Sequence, residues 1–251
     1  MTDARVAAKR APAARRYLQV AAALIERLET SEWEHIDAAA GLMTEAMAQG
    51  GTIHAFGSGH SHMFAEELYY RAGGFVRIEP ILFEGLMLHA SAPLSTALER
   101  VSGLAAAILD DHTTSPGDVL LIASNSGSNA VITEMATEAR ARGLRTVALT
   151  SLGHATSEAA RAGRAPRLHE LVDVAIDNGG VVGDAAVEID GLSMRVAPTS
   201  TVVVAAVANA LVAEVAERLV ALGIEPEVFS SSNVAGGDAV NQGHLRRANG
   251  R

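Results

Sequence analysis

The chain has 251 residues, is 49% hydrophobic and only 4% aromatic, and carries a formal charge of −9. That hydrophobic fraction supports one large α/β domain, and scarce aromatics beside abundant Ala, Val and Gly suit helix-on-sheet packing better than a β-sandwich. The acidic balance argues against nucleic acid, which needs a basic surface, and the absence of cysteine excludes disulfides, iron–sulfur clusters and thiolate nucleophiles.

Arg5, Lys9, Arg10, Arg15 and Arg16 stand against a single Asp3. They read as a basic lead-in to the first helix rather than an organelle-targeting signal. No signal-peptide apolar core follows, so a cytoplasmic location is expected. From Tyr17 to Leu28 apolar residues recur at helical spacing. Ser31 with Glu34 has the form of a capping box for a second helix running to about Gln49, closed by Gly50-Gly51. Thr52–Phe56 reads as a buried strand, followed by Gly57-Ser58-Gly59 and a helix over Ser61–Ala72. A short strand is expected at Val76–Ile78 and a helix over Leu94–Leu109. The turn Ser115–Asp118 leads into strand Val119–Ala123, then a helix over Asn129–Arg142 with Gly143 as its C-cap.

Strand Thr146–Leu149, a helix around Thr156–Ala162 and strand Val172–Ile176 come next. Asp177–Asp184 is Gly-rich and reads as loop. Short strands are expected at Val187–Ile189 and Arg195–Val196. Pro198-Thr199-Ser200-Thr201 then opens a long apolar helix to about Leu222. Its Val202–Ala213 stretch is too short to span a bilayer, so no membrane partner is expected. Alternating strands and helices predict a doubly wound, parallel five-stranded sheet flanked by helices, with an N-terminal α-hairpin. We divide the chain into a helical hairpin (1–50), the main α/β unit (51–222) and a C-terminal tail (223–251), all one folding unit.

In an open α/β sheet, ligands bind outside the carboxyl ends of the strands. Three strand exits here are rich in Gly and Ser: Gly57–Ser61, Ser124–Ser128 and Pro198–Thr201. The second is the most informative. A helix N-terminus offers unpaired N–H groups and partial positive charge to a phosphate. The hydroxyls of Ser124, Ser126 and Ser128 add donors, Asn125 lies among them, and Gly127 lets the backbone approach closely. One cap would satisfy helix initiation; three hydroxyls in five residues exceed it. Gly57-x-Gly59 alone is weak, because a dinucleotide fingerprint needs a third glycine where His62 stands.

Strand-Ser124-Asn-Ser-Gly-Ser-helix, followed by Gly143-Leu-Arg-Thr-Val-Ala-Leu-Thr150, resembles the sugar isomerase (SIS) domain. The resemblance spans roughly Ile53 to Leu222. It is strongest to a group of stand-alone bacterial SIS proteins with Phe56-Gly-Ser-Gly-His-Ser-His62, Ala65-Glu-Glu67, Tyr70-Arg-Ala-Gly-Gly74, Ile176-Asp-Asn-Gly-Gly180 and Asn233-Val-Ala-Gly-Gly-Asp238. It implies that Ser124, Ser126 and Ser128 hold a phosphate and that Ser58, Ser61 and Ser200 line the sugar. Gly59 and Asn125 complete the implied binding set. It also implies a homodimer or homotetramer with partner residues entering the site.

Aldose–ketose isomerisation needs a positioned general base and a group to polarise the carbonyl. Phosphoheptose isomerase carries a His-Phe-Ala-Glu-Glu helix whose second Glu is catalytic and whose His can bind zinc. The matching run is Met63-Phe64-Ala65-Glu66-Glu67, closer to the Gly-rich loop. Glu67 fits the base; Met63 replaces the His, so zinc or another divalent metal has no support, although His60 and His62 lie nearby. The plain alternatives are that Glu66 and Glu67 complement the helix dipole and that His60 and His62 cap the helix entry. Glu84 and His89, in a region that delivers catalytic groups in several SIS enzymes, complete the catalytic candidates Glu67, His62, Glu84 and His89. His244 reads as a tail histidine, and Asn209, on an apolar helix, is expected to find a buried partner. The expected function is a sugar-phosphate isomerase without a cofactor. The alternatives are an amino-sugar 6-phosphate etherase or a non-catalytic phosphosugar sensor.

Overall fold

The computed structural model describes residues 10–157 and 166–249. Helices α1 (Ala13–Ser31) and α2 (Trp33–Ala48) form the N-terminal pair. The Ser31–Glu34 capping box does not form. Ser31 ends α1, and Glu32 sits at the joint with no capping hydrogen bond from its side chain. That carboxylate is instead drawn to Arg27 and to the backbone of Asp177.

The main sheet contains β1 (Ile53–Gly57), β2 (Ile78–Ile81), β3 (Val119–Ala123), β4 (Arg145–Thr150) and β5 (Val174–Asp177). Its strands are parallel in the order β2-β1-β3-β4-β5. Because both faces are covered, β3 is a continuous apolar run rather than an alternating one. Val119, Leu121 and Ala123 point into one core layer, and Leu120 and Ile122 into the other. The first layer packs against α2, α3 (His62–Leu68) and α9 (Ser200–Ala221). The second packs against α5 (Leu104–Asp110) and α6 (Ala130–Ala141).

The helix expected over Leu94–Leu109 is two. Helix α4 (Leu88–Leu98) is interrupted at Ser91, whose backbone is extended two residues before Pro93. Gly103, at φ +84°, then separates it from α5. Helix α3 ends at Leu68 rather than Ala72, where the backbone turns extended at Tyr69 and left-handed at Tyr70. Strand β2 begins two residues later than expected because residues 73–76 pair elsewhere. Gly73 N and Val76 N donate to Phe229 O and Glu227 O, and Phe229 N donates back to Gly74 O. The C-terminal segment is therefore part of the fold, ending in α10 (Gly237–Asn249).

Short helices α7 (Leu152–Ala155) and α8 (Leu168–Leu171) flank residues 158–165. Most of the helix expected around Thr156–Ala162 lies outside the described residues, and Thr156 itself caps α7. The two later strands are β6 (Ala185–Val187) and β7 (Val196–Pro198), an antiparallel pair. Among the described residues, no helix is long and apolar enough to cross a membrane.

Candidate functional site

Strands β1 and β3 are neighbours, yet the helices that follow them lie on opposite faces of the sheet. Phe64, Ala65 and Leu68 of α3 join one core layer, while Val131, Ile132 and Met135 of α6 join the other. The loops leaving adjacent strands therefore diverge, and a crevice opens between them at the carboxyl edge. The first two Gly/Ser exits are the loops that flank this switch point.

In the second loop, Ser124 Oγ accepts from Gly127 N at 3.1 Å, closing a tight turn. Gly127 lies at φ +57°, and an added Cβ would sit 3.1 Å from Leu168 Cβ and 3.3 Å from Thr150 Oγ1. Glycine is required there by both dihedral and space. Asn129 takes the N-cap position of α6 with an extended backbone and no side-chain cap. Among the described residues, no acceptor lies on the backbone N–H of Ser126, Ser128, Asn129 or Ala130, nor on the hydroxyls of Ser126 and Ser128. These donors stand together at the positive end of α6.

In the first loop, Gly57 admits no side chain, because a Cβ would fall 2.3 Å from Ser61 O. Ser58 Oγ donates to Glu99 Oε2 at 3.0 Å, and Gly59 starts a 3₁₀ turn through Ser61 that runs into α3. Glu99 also receives the α6 backbone, with Val131 N donating to Glu99 O at 3.2 Å. It thus braces both loops.

Beside the switch point lies a cavity of about 410 Å³, between the loops, α3 and the start of α9. Ser61, Ser124, Asn125, Ser200 and Glu67 line it, together with His60, Asn178 and Tyr17. Ser58, Gly59, Ser126, Ser128, His62, Glu84 and His89 do not line it. His62 is buried, with Nδ1 on Gly59 O, Nε2 3.5 Å from Glu66, and its ring 6.1 Å from that of His89. Glu84 and His89 are exposed, on a 3₁₀ turn and the start of α4.

Glu67 is held from two sides. Asn209 Nδ2 donates to its Oε1 at 2.8 Å, and Arg71 pairs with its Oε2. Asn209 is exposed rather than buried, so the partner expected for it is Glu67 at the cavity rather than a core group.

Three further residues shape the wall. Asn178 Nδ2 donates to Asn125 Oδ1 at 3.0 Å, while Asn178 Oδ1 accepts from Gly180 N at 2.8 Å. Asp177 accepts from Leu152 N and Gly179 N through Oδ1 and pairs with Arg27 at 2.8 Å through Oδ2. Glu32, also on Arg27, accepts from Asp177 N at 3.0 Å. The two buried carboxylates share one guanidinium and tie the α1–α2 joint to the site. Asp184, at φ +67°, reaches the start of α9: its Oδ1 accepts from Thr199 N and Ser200 N, and its Oδ2 from Ser200 Oγ. Ser200 therefore lines the cavity with its hydroxyl already engaged. The run Ile176-Asp-Asn-Gly-Gly180 stands out in the sequence without showing a role for Asp177 or Asn178, and nothing local marks Glu99 or Asp184.

No group of three or more His, Asp or Glu among the described residues is arranged to hold a metal ion. Met63 lines the cavity beside Glu67, where a thioether is a poor partner for zinc.

A family model described as SIS domain matches residues 16–151. A UPF0309 protein of Listeria monocytogenes serotype 4b is 37% identical over 235 residues, covering 94% of this chain and 95% of the relative. A UPF0309 protein of Geobacillus thermodenitrificans is 42% identical over 211 residues, covering 84% and 85%. The structure of phosphoheptose isomerase GmhA from Neisseria gonorrhoeae superposes with a TM-score of 0.53 at 17% identity, covering 80% of this chain and 94% of that one. That likeness is one of fold.

Proposed function

Because the chain belongs to the SIS-domain family, we propose that it binds a phosphorylated sugar and moves a proton at the carbon beside the sugar's carbonyl, with aldose–ketose isomerisation as the leading reaction. The observation that carries this reading is the cluster of N–H and hydroxyl donors of Ser126, Ser128, Asn129 and Ala130 at the start of α6, which have no acceptor among the described residues. Such a cluster suits a phosphate without needing Lys or Arg.

The sugar then extends into the adjoining cavity, towards Ser61, Ser124, Asn125 and Ser200. Glu67 is the base. It faces the cavity, and Asn209 and Arg71 fix its orientation without covering it. His60 lines the same cavity and serves as the second proton carrier, giving a proton to the carbonyl oxygen as Glu67 takes one from carbon. His62, bonded to Gly59 O, holds the first loop in shape. Glu84 and His89, exposed at the same sheet edge, serve a neighbouring subunit's site in a homodimer or homotetramer. A second reading, elimination on an amino-sugar 6-phosphate, uses the same base and is favoured by the apolar side of the cavity, where Val202, Val204 and Ala205 lie.

The test is a thermal-shift screen of phosphosugars, followed by NMR detection of solvent deuterium entering at the carbon beside the carbonyl. The double substitution S126A/S128A is expected to abolish protection. Unchanged affinity in that variant would overturn the cradle assignment, and binding without exchange or elimination across the panel would leave a sensor.

A further inference from the structure

Helix α3 carries Glu67 and stops one residue later, at Leu68. In a continuing helix, Arg71 would stand one turn beyond Glu67 and face it without further help. Here Tyr69 is already extended (φ −91°, ψ 134°) and Tyr70 is left-handed at φ +45°, yet Arg71 still pairs with Glu67 Oε2. The Tyr69–Tyr70 turn takes over from the helix, folding the chain back so that the guanidinium reaches the carboxylate. A left-handed backbone is unfavourable for a residue with a bulky side chain, and it persists only where its surroundings over-determine it.

The C-terminal segment supplies those surroundings. The Tyr70 ring meets the Phe229 ring edge-on, with centroids 4.9 Å apart. Gly73 N donates to Phe229 O at 2.8 Å and Phe229 N to Gly74 O at 2.9 Å, while Gly74 N donates to Arg71 O at 2.8 Å. Phe229 is buried, and the His244 ring of α10 lies 6.1 Å from it. Asn241, also buried and on α10, fixes the next residue: it accepts from Ser230 N at 2.8 Å and donates to Ser230 O at 2.9 Å. Tyr70 is 46% exposed, so burial of its own ring does little to offset the strained backbone.

We propose that Tyr70 and Phe229 are positioning residues for the base: the C-terminal segment clamps the Tyr69–Tyr70 turn and so sets the Arg71 guanidinium on Glu67. Asn209 holds the other carboxylate oxygen from α9. With both oxygens fixed, the carboxylate keeps one orientation towards the cavity. Tyr70, Arg71 and Phe229 do not line the cavity, so they act on the geometry of Glu67 and not on ligand contact. The inference rests on the reading of Glu67 as the base and deepens it.

The experiment uses the full chain and hexose 6-phosphates, aldose and ketose, of gluco, manno and galacto configuration. NMR follows solvent deuterium entering at the carbon beside the carbonyl over a range of sugar concentrations. The wild type is expected to exchange at least one of them, and E67Q to abolish that exchange. Three variants test the clamp: Y70A and R71A at exposed positions, and F229L, which keeps an apolar side chain in a buried one. Each is expected to lower kcat about tenfold or more while KM stays within about twofold. The double variant Y70A/R71A is expected to fall no further than R71A alone, because both act through one ion pair. Y70F, which keeps the ring on Phe229, is expected to retain most of kcat. Wild-type kcat in Y70A, with only the melting temperature lowered, would overturn the inference while the phosphosugar reading stands. A KM that rises in step with the loss, or additive losses in the double variant, would do the same. Exchange retained in E67Q, or absent from the wild type across the set, would sink Glu67 as the base and the inference with it.

Discussion

Gly127 turns the chain at φ +57° so that the N–H groups after it point out of the start of α6 rather than into the core. Alanine there meets two penalties at once: a left-handed backbone and a Cβ 3.1 Å from Leu168 Cβ. Gly127→Ala is therefore expected to cost about 1–2 kcal/mol in urea unfolding and to weaken phosphosugar binding in the thermal-shift assay. Full affinity with the stability loss alone would mean that the turn does not shape the cradle. At this scale the sequence was readable wherever chemistry is local. Serines, a glycine and a strand–helix junction lie within five positions of one another, and the expected strand end and helix start stand on either side of them. Glu99, Asn178 and Asp184 were not readable. Their partners Ser58, Asn125 and Ser200 lie 41, 53 and 16 positions away, and a lone carboxylate or amide in a loop carries no local mark of such pairing.

Strand β5 is attached to β4 by more than its ladder. Asp173 accepts from Thr146 N at 2.7 Å and from Thr146 Oγ1 at 3.1 Å, with Arg145 close by. Partial burial pushes this carboxyl up, but the Thr146 hydrogen bonds and the nearby Arg145 and Arg140 outweigh it and hold the group below the ordinary aspartate value. A depressed carboxylate stabilises the fold above its unfolded value near 3.8 and loses that contribution as pH falls through the lower folded value. Asp173→Ala is expected to cost about 1 kcal/mol at neutral pH. The gap from wild type should close in urea titrations below the aspartate range; a constant gap down to acid would refute the charge contribution. Elements themselves were legible where periodicity and punctuation agreed, as in β3 and in α6 before Gly143. The continuous helix expected over Leu94–Leu109 was wrong because apolar spacing survives a break, and only the left-handed Gly103 marks it.

Across the whole molecule, strand order and the packing of the chain end are decided by long-range contacts, so no strand order was legible in the sequence and residues 223–251 read there as a tail. Pro80 lies in β2, which occupies a sheet edge and tolerates a residue without an N–H. The run before β2 is covered by the C-terminal segment, through the Phe75–Val228 bridge and the bonds around it. A stretch expected as a tail thereby packs on the run that leads into β2.

Among the described residues, no Lys or Arg lines the cavity, while the chain as a whole carries a charge of −9. A dianionic ligand of the kind proposed would therefore meet a repulsive field at long range and, among the described residues, neutral dipoles on contact. Added salt should then quicken its association in stopped-flow measurements and leave its dissociation nearly constant, the reverse of a site built on cations. A ligand slowed only on its way in reaches half-occupancy at a higher concentration, so the site would fill only where that ligand is abundant.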